Sequence, residues 1–325
     1  MLQVSYIAAQ PNEVAERLQK RGINGQERVE EILHLDSARK TAQQERDDLQ
    51  ASMNKMASSI GQLFKEGRRE EADAIKAETA DLKLKIKAAE AVLGEAQQKL
   101  TNLLNDTPNA PEAEVPAGKN EEDNKEVYRN GEIPQAAEAD LPHWEIAEKA
   151  KLIDFELGVK ITGAGFPVYT GVGAKLQRAL INFFLDEAEK AGYQEVQVPI
   201  LVNQQSAYAT GQLPDKEGQM YHATEDDFYL IPTAEVPITN IFRDTIIKEE
   251  DLPLKKTGYT PCFRREAGSY GKDVRGLNRL HQFDKVEIVQ VTHPKESYKA
   301  LEEMVDYVKG LMEKLELPYR ILLLC

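Results

Sequence analysis

The chain has 325 residues and a mass of 36.5 kDa, a length that predicts two or three domains. Hydrophobic residues make up 41% and charged residues 30%, so a folded core is expected and wholesale disorder is excluded. No stretch approaches ~18 uncharged apolar residues, and the N-terminus has no signal-peptide pattern, so we expect neither membrane insertion nor secretion. Two cysteines cannot form a disulfide framework and indicate a reducing cytoplasm, and the scattered histidines predict no Cys/His metal site.

The net charge of −14 taken alone argues against a nucleic-acid partner. The charge is unevenly distributed, however. Residues 1–33 carry four basic and five acidic side chains, residues 34–104 carry 12 of each, and residues 105–325 carry 25 basic against 38 acidic. The acidity therefore belongs to the last two thirds of the chain, and the first third remains open to an anionic partner.

Residues 35–104 show two helical stripes with 4-3 spacing, separated by Gly67-Arg68-Arg69. This heptad pattern predicts two coiled-coil helices that fold back on each other, an arm on the order of 45 Å long at ~1.5 Å per residue. Arg39 and Arg46 interrupt the first stripe. The apolar positions are Leu35, Ala42, Leu49, Met53, Met56, Ile60 and Leu63, then Ile75, Leu82, Ile86, Ala89, Leu93, Ala96, Leu100 and Leu103.

The remaining chain divides into a connector and a globular part. Residues 105–134 combine prolines and glycines with acidic side chains, which predicts an inter-domain linker. Domains are therefore expected at 1–104 and 135–325. In the second domain the patterns predict helices over 176–191 and 297–315, and strands over 196–199, 228–231, 259–266 and 283–291. Because strands follow one another without alternating crossover helices, an α+β fold with an antiparallel sheet is favoured over a doubly wound parallel one.

Residues 255–285 carry eight basic and three acidic side chains, and a cluster this concentrated should bind anions. Along the predicted strands Arg264 and Glu266 would share one face, and Arg279, Phe283, Lys285 and Glu287 would share one parity. The intervening residues 267–278 have the composition of a mobile flap over phosphates. A nucleotide and amino-acid site is one interpretation, and an ordinary charged hairpin with a solvated loop is the other.

Phe263-Arg264-Arg265-Glu266, followed by residues 275–287 with the string Arg-Gly-Leu-Asn-Arg-Leu-His-Gln-Phe-Asp-Lys-Val-Glu, resembles motif 2 of class II aminoacyl-tRNA synthetases, specifically the seryl-tRNA synthetase version. Leu176 to Pro199 is similar to motif 1, the dimer-forming helix and strand. Thr210 to Pro214 and Thr233-Ala234-Glu235 match family positions near the serine pocket. The hairpin arm before a catalytic domain is also this family's layout, so the resemblance covers the whole chain.

The resemblance implies a class II core, cytoplasmic location and ATP-dependent joining of L-serine to tRNA-Ser. By position, Arg264 would hold the ATP α-phosphate and the serine carboxylate, and Arg279 the γ-phosphate. Glu266 would recognise the adenine amino group and Phe283 would stack on adenine, with Arg265 and Leu280 as further ATP-site positions. Packing or hinge roles are favoured for Cys262 and His281. The serine positions implied are Thr233, Ala234, Glu235, Arg264 and Glu287.

The resemblance also implies partners. The motif 1 region, about Leu176 to Pro199, would form a homodimer, and the arm would bind the long variable arm of tRNA-Ser by shape. No magnesium site is expected in this chain, because the Mg²⁺ ligands would lie beyond residue 325. The basic residues that could contact tRNA phosphates are Arg17, Lys20, Arg21, Arg28, Arg39, Arg46, Lys55, Lys65, Arg68 and Arg69.

The family's third motif, a Gly-rich strand and helix with an arginine for the γ-phosphate, is not found after Arg279. Ile321 to Cys325 also forms an uncharged, strand-like run at the end of the chain. We therefore expect a fragment, with a truncated inactive form as the alternative. Two other functions stay open: a paralogue that activates an amino acid for another carrier, and a noncatalytic coiled-coil or RNA-binding protein.

Overall fold

A computed structural model describes residues 2–135, 140–266 and 275–325. The chain forms two compact units, Met1–Asn130 with Arg320–Cys325, and Gly131–Tyr319. None of the described helices is long and apolar enough to span a membrane. Each unit has its own contacts and is considered separately.

The first unit is dominated by two long helices. It contains helices α1 (Val4–Ala9), α2 (Pro11–Gln19), α3 (Gly25–Lys65) and α4 (Arg69–Asn105). Helix α3 begins where the Asn24 side chain accepts a hydrogen bond from the backbone N–H of Glu27, which satisfies one of the free donors of the first turn. The predicted helical hairpin is confirmed, and α3 begins ten residues before the apolar stripe does.

The apolar core of this unit lies at the base of the hairpin. Ile7, Leu18 and Ile32 are fully buried there, together with Val14, Val29 and Leu100. In α3 no residue after Ala42 is buried, and between Ile86 and the tip of the arm α4 buries only Ala72, so the outer half of the arm has a thin core. Asp36 explains why the seam tolerates Arg39: this 4% exposed carboxylate lies 2.9 Å from the Arg39 Nη2 and 2.8 Å from the Lys40 Nζ.

The segment predicted as a linker contains ordered structure. Strand β1 (Lys125–Asn130) pairs with strand β10 (Tyr319–Leu323). Before β1, the Lys20 Nζ donates to the backbone carbonyls of Ala113 at 2.7 Å and Val115 at 3.1 Å. Residues 105–130 are therefore held by contacts within the first unit, which a solvated connector would lack.

The second unit combines short helices with three small sheets. Its helices are α5 (His143–Lys149), α6 (Phe155–Ile161), α7 (Gly171–Lys190), α8 (Gln204–Ala209), α9 (Glu235–Asn240) and α10 (Ser297–Lys314). Its strands are β2 (Ile153–Asp154), β3 (Val168–Tyr169), β4 (Gln194–Glu195), β5 (Leu201–Asn203), β6 (His222–Ala223), β7 (Phe228–Leu230), β8 (Leu254–Phe263) and β9 (Gln282–Val291). The predicted α+β class is confirmed.

The principal sheet has the order β4-β8-β9. Strands β8 and β9 form an antiparallel ladder from Leu254 opposite Val291 to Phe263 opposite Gln282, whereas β4 is parallel to β8. Strand β4 ends before the residues predicted as strand, 196–199, although the Val196 N–H still donates to the Thr257 carbonyl at 2.8 Å. The strand predicted over 259–266 begins earlier and ends at Phe263.

Successive residues of β9 point to opposite faces of the sheet. One face is covered by helices: Val286 and Ile288 border a cleft of about 450 Å³ together with Leu180 and Phe184 of α7 and Leu311 of α10. The other face carries Phe283, Lys285 and Glu287. Because the two faces have different surroundings, the register of the β8–β9 pair decides which side chains reach the open face.

Candidate active site

The open face of the β8–β9 pair brings the predicted site residues together. In the antiparallel register Cys262 lies opposite Phe283, Thr260 opposite Lys285 and Gly258 opposite Glu287. Directly opposite residues share a face, so Phe283, Lys285 and Glu287 line one surface with the end of β8. This is the shared parity that the sequence predicted for these three residues.

Arg264 stands at the exit of β8, directly beside Phe283. Its guanidinium carbon lies 5.1 Å from the centre of the Phe283 ring, a cation–π distance. Its backbone N–H donates to the His281 carbonyl at 2.9 Å, which holds the exit of β8 against the start of β9. Within residues 2–135, 140–266 and 275–325 no carboxylate forms an ion pair with Arg264, so this exposed cation can accept an anionic ligand.

Glu266 and Arg279 form an ion pair next to this arginine, with 2.7 Å between the Arg279 Nη1 and the Glu266 Oε2. Neither residue lies in a strand, and Glu266 has a left-handed backbone with φ +47°. Strand alternation ends at Phe263 and begins again at Gln282, so the strand faces predicted for Arg264, Glu266 and Arg279 are wrong. The pairing of Glu266 with Arg279 instead depends on a contact between residues 13 positions apart.

A second cluster lies further along the open face, around Glu287. The Thr233 hydroxyl donates to the Glu287 Oε2 at 2.7 Å, and the Lys285 Nζ lies 2.6 Å from the same oxygen. The Thr233 hydroxyl oxygen also accepts from the Glu235 N–H at 3.2 Å. Both side-chain contacts that Glu287 makes with the described residues use Oε2, so within this part of the chain Oε1 is available to a ligand.

The remaining predicted residues differ in accessibility. Ala234 is fully buried and Leu280 is 8% exposed, whereas Glu235 and Arg265 are exposed. The Arg265 N–H donates to the Gln219 carbonyl at 2.8 Å, so its backbone is fixed away from β9. Ala234 and Leu280 can support the site by packing, but their side chains are not presented to solvent.

Cys262 and His281 lie in packed surroundings. Cys262 is fully buried, and burial raises the pKa of its thiol, which disfavours a thiolate nucleophile. The His281 ring stacks on Phe166 with 5.2 Å between ring centres, and its Nδ1 lies 2.9 Å from the Tyr221 hydroxyl. These contacts agree with the packing roles predicted for both residues.

Phe166 and Tyr221 were not found from the sequence. They contact the His281 ring from distant parts of the chain. Gly165 leaves room for this ring, because its φ is +83° and a Cβ at this position would lie 2.5 Å from the His281 ring. In the sequence, Gly165 was the only signal that a side chain packs closely against this segment. The flap predicted over 267–278 falls mainly on residues 267–274, outside the described residues.

The described residues contain no group of three or more His, Cys, Asp or Glu side chains suited to a metal ion. What the open face does provide is a guanidinium beside an aromatic ring, an ion pair, and a carboxylate, and among the described residues neither the guanidinium nor one oxygen of that carboxylate has a side-chain partner. Such a surface can hold a planar base, several phosphates and a small ammonium compound.

Known protein families match both ends of this chain. The family model "tRNA synthetase class II core domain (G, H, P, S and T)" matches residues 219–325, which include the whole β8–β9 pair. The second unit therefore belongs to a class II aminoacyl-tRNA synthetase. The model "Seryl-tRNA synthetase N-terminal domain" matches residues 1–111.

Whole-chain relatives agree with both matches. The serine–tRNA ligase of Salinibacter ruber is 47% identical over 325 residues, covering 100% of this chain and 76% of the relative. That of Akkermansia muciniphila is 44% identical, also over 100% of this chain and 76% of the relative. A crystal structure of seryl-tRNA synthetase from Pyrococcus horikoshii complexed with ATP superimposes with a TM-score of 0.85 at 32% identity, over 99% of this chain and 76% of that one.

The chain belongs to the seryl-tRNA synthetase family, whose members are aminoacyl-tRNA ligases that join serine to tRNA. The family predicted from the motif 2 string is thereby confirmed, as is the enzyme class. Binding of ATP fits both the class II core and the ATP complex of the Pyrococcus horikoshii protein.

Proposed function

We propose that this chain activates L-serine with ATP on the open face of the β8–β9 pair, and transfers the seryl group to the 3′ end of tRNA-Ser. The observation that carries the proposal is the position of Arg264, whose guanidinium has no ion-pair partner among the described residues and lies 5.1 Å from the Phe283 ring, at one end of a face that has Glu287 further along. One end of the face is suited to a nucleotide and the other to an amino acid.

Phe283 offers the aromatic surface for adenine. Arg264 contacts the α-phosphate, and Arg279 contacts the γ-phosphate after its ion pair with Glu266 opens. The Arg279 side chain is 52% exposed and can reach a phosphate, whereas the Glu266 carboxylate is only 15% exposed and needs a replacement donor when the pair opens. When ATP binds, its γ-phosphate pairs with Arg279. The adenine amino group then donates a hydrogen bond to the Glu266 carboxylate that Arg279 has left.

Serine binds at the other end, between Glu287 and the turn formed by residues 233–235. The free Glu287 Oε1 accepts from the substrate ammonium or hydroxyl, and Glu235 supplies a second exposed carboxylate at the start of α9. The buried Ala234 shapes this turn. A site that hydrogen-bonds the serine hydroxyl leaves buried groups unpaired when alanine enters, which can cost on the order of 10⁴-fold in specificity.

The reaction itself requires alignment more than proton transfer. The serine carboxylate attacks the α-phosphorus in line, the bond to the bridging oxygen breaks, and pyrophosphate leaves with its electrons. Arg264 contacts both reacting anions and neutralises the charge that develops between them. No protein general base is needed, because the attacking carboxylate is already ionised.

Mg²⁺ is expected to accompany ATP, but the described residues do not form a suitable site for it. Residues 2–135, 140–266 and 275–325 contain no group of three or more His, Cys, Asp or Glu side chains suited to a metal ion, and Glu266 and Glu287 are each paired with a cation in this structure. The proposed steps therefore use only Arg264, Arg279 and the residues around Glu287.

The helical hairpin is proposed to bind tRNA-Ser through its exposed cations. Six of the ten candidates have internal partners. Arg17 pairs with Glu112, Lys20 with backbone carbonyls, Arg28 with Thr107 and Arg39 with Asp36. Arg46 pairs with Asp47, and Arg68 with Glu66 and Glu71. Within the described part of the chain no ion pair engages the four that remain, and phosphate contacts are assigned to them: Arg21, Lys55, Lys65 and Arg69.

A homodimer through the motif 1 region is proposed from one surface of α7. Val172 and Leu176, one helical turn apart, are 69% and 52% exposed, and a second copy of the chain would cover them. Burying these two side chains against a second copy would remove apolar surface from water. Because the reaction consumes cytoplasmic substrates, a cytoplasmic location follows from the same proposal.

Arg264→Ala tests the proposed site most sharply. We expect serine-dependent ATP/pyrophosphate exchange in the full-length protein to fall by at least about 10³-fold, because the transition state loses its contact with both anions. The neighbouring Arg265→Ala, whose backbone is held by Gln219, is the matched control and should lose less than about 10-fold. Retained exchange in Arg264→Ala, with normal thermal unfolding, would refute the site assignment.

A further inference from the structure

Asp284 lies on the helix-covered face of β9, immediately after Phe283 in the strand. The Tyr259 hydroxyl donates to the Asp284 Oδ1 at 2.6 Å, and the Gln177 side-chain amide of α7 donates to the Asp284 Oδ2. We call these three residues the Asp284 cluster. It borders a largely polar cavity of about 450 Å³ that also contacts Thr162 and Tyr169.

The Asp284 cluster holds a carboxylate without a cation. Among residues 2–135, 140–266 and 275–325 no Lys, Arg or His pairs with Asp284, and both oxygens depend on neutral donors. Burial and the hydrogen bond to Asp284 raise the pKa of Tyr259 to about 12, so its hydroxyl remains a donor throughout the neutral range. Burying part of a carboxylate among neutral groups costs more folding free energy than burying an apolar side chain. An apolar residue would therefore serve better at position 284 if only packing were required.

The Asp284 cluster also connects two parts of the proposed site. Strand alternation places Phe283 on the open face when Asp284 is fixed on the covered face. Gln177 lies on α7 one residue after Leu176, which belongs to the exposed apolar stripe of the same helix. The hydrogen bonds of Asp284 therefore tie the backbone beside Phe283 to the helix that carries the proposed dimer surface.

We propose that Asp284 is a positioning residue for ATP: held by Gln177 and Tyr259, it fixes the Phe283 ring for adenine and couples the nucleotide end of the site to α7. The inference rests on the proposed function. Serine recognition is predicted to be independent of it, because Glu287 is held separately by Thr233 and Lys285.

Steady-state exchange kinetics of the full-length protein test the proposal. Asp284→Ala should raise the KM for ATP about 10-fold and leave the KM for serine within about 2-fold, since only nucleotide contacts lose their support. Asp284→Asn should recover to within about 3-fold of the parent, because its amide oxygen still accepts from Tyr259 and the Gln177 amide can rotate to accept from its NH₂ group. Glu302→Ala, which removes an exposed carboxylate from α10, is the matched control and should change neither KM.

Two further variants keep the test decisive if Asp284→Ala fails to fold. Tyr259→Phe removes one hydroxyl and should raise the KM for ATP about 3-fold, and Gln177→Glu places a second carboxylate against Asp284 and should raise it at least as much as Asp284→Ala. Light scattering on each variant reports the assembly state, and thermal unfolding reports the fold.

The proposal is overturned if the folded variants leave the KM for ATP unchanged, or if the KM values for ATP and serine rise equally, which is what a general loss of structure would give. Failure of the proposed function gives a different result: the parent protein itself would show no serine-dependent exchange. An active parent with an unaffected KM for ATP in Tyr259→Phe and Gln177→Glu refutes the positioning role alone.

Discussion

Two antiparallel hairpins dominate this chain, and they are built in opposite ways. The helical hairpin of α3 and α4 repeats one type of contact along its length, and its core is thick only at the base. The β8–β9 pair has ten residue pairs, and each face meets different neighbours. A repeated structure can be shortened without changing what remains, whereas one residue of slippage in a two-faced strand pair moves every side chain to the wrong face.

Shortening the helical hairpin should therefore separate its role from that of the β8–β9 pair. Residues 43–91 would be replaced by a Gly/Ser linker of about four residues, enough to span the ~8–10 Å between packed helices. The base, with Ile32 and Leu100, is kept. We expect tRNA-Ser charging to fall by at least about 10²-fold through lost phosphate contacts, while serine-dependent exchange stays within about 2-fold.

The matched control for this deletion replaces Lys55, Lys65 and Arg69 by glutamine, which removes the three proposed phosphate contacts of residues 43–91 without shortening the arm. It should reduce charging and weaken its dependence on salt. If the deletion abolishes exchange and charging together, the arm is not a separate tRNA-binding module.

Substitutions that test the uneven core of the helical hairpin should have a smaller effect than the deletion of the arm. Ile32 is fully buried at the base, and Ile32→Ala should cost about 2–5 kcal/mol of unfolding free energy. Ile60, half-buried in the outer arm, can relax into solvent, so Ile60→Ala should cost about 1 kcal/mol or less. Urea unfolding followed by helical circular dichroism measures both, and equal losses would show that the outer arm has a core as tight as the base.

The same contrast explains what the sequence could predict. Heptad spacing from Leu35 to Leu103 located both long helices, because such contacts recur every few residues. The motif 2 string located the open face, and strand alternation correctly grouped Phe283, Lys285 and Glu287. Local patterns were sufficient for these long periodic elements, whereas the two-residue strand β4 was placed two residues too late.

What the sequence could not predict depends on contacts between distant residues. The end of β8 at Phe263 and the left-handed Glu266 arise where the backbone turns to meet His281 and Gln219. The stacking of His281 on Phe166 spans more than a hundred residues. Proline and acidic composition also predicted a free linker, yet Lys20 and β10 hold that segment, since partners elsewhere in the chain are invisible to composition.

Serine-dependent ATP/pyrophosphate exchange by the full-length protein, run in parallel with serine, threonine, alanine and glycine, tests the central claim most directly. We predict exchange with serine, and rates lower by on the order of 10⁴-fold with alanine, which cannot satisfy the groups that bind the hydroxyl. Exchange with serine but no charging of tRNA-Ser would indicate another carrier. No exchange with serine, or equal exchange with alanine, would contradict the assignment of a serine-activating site to the open face of the β8–β9 pair.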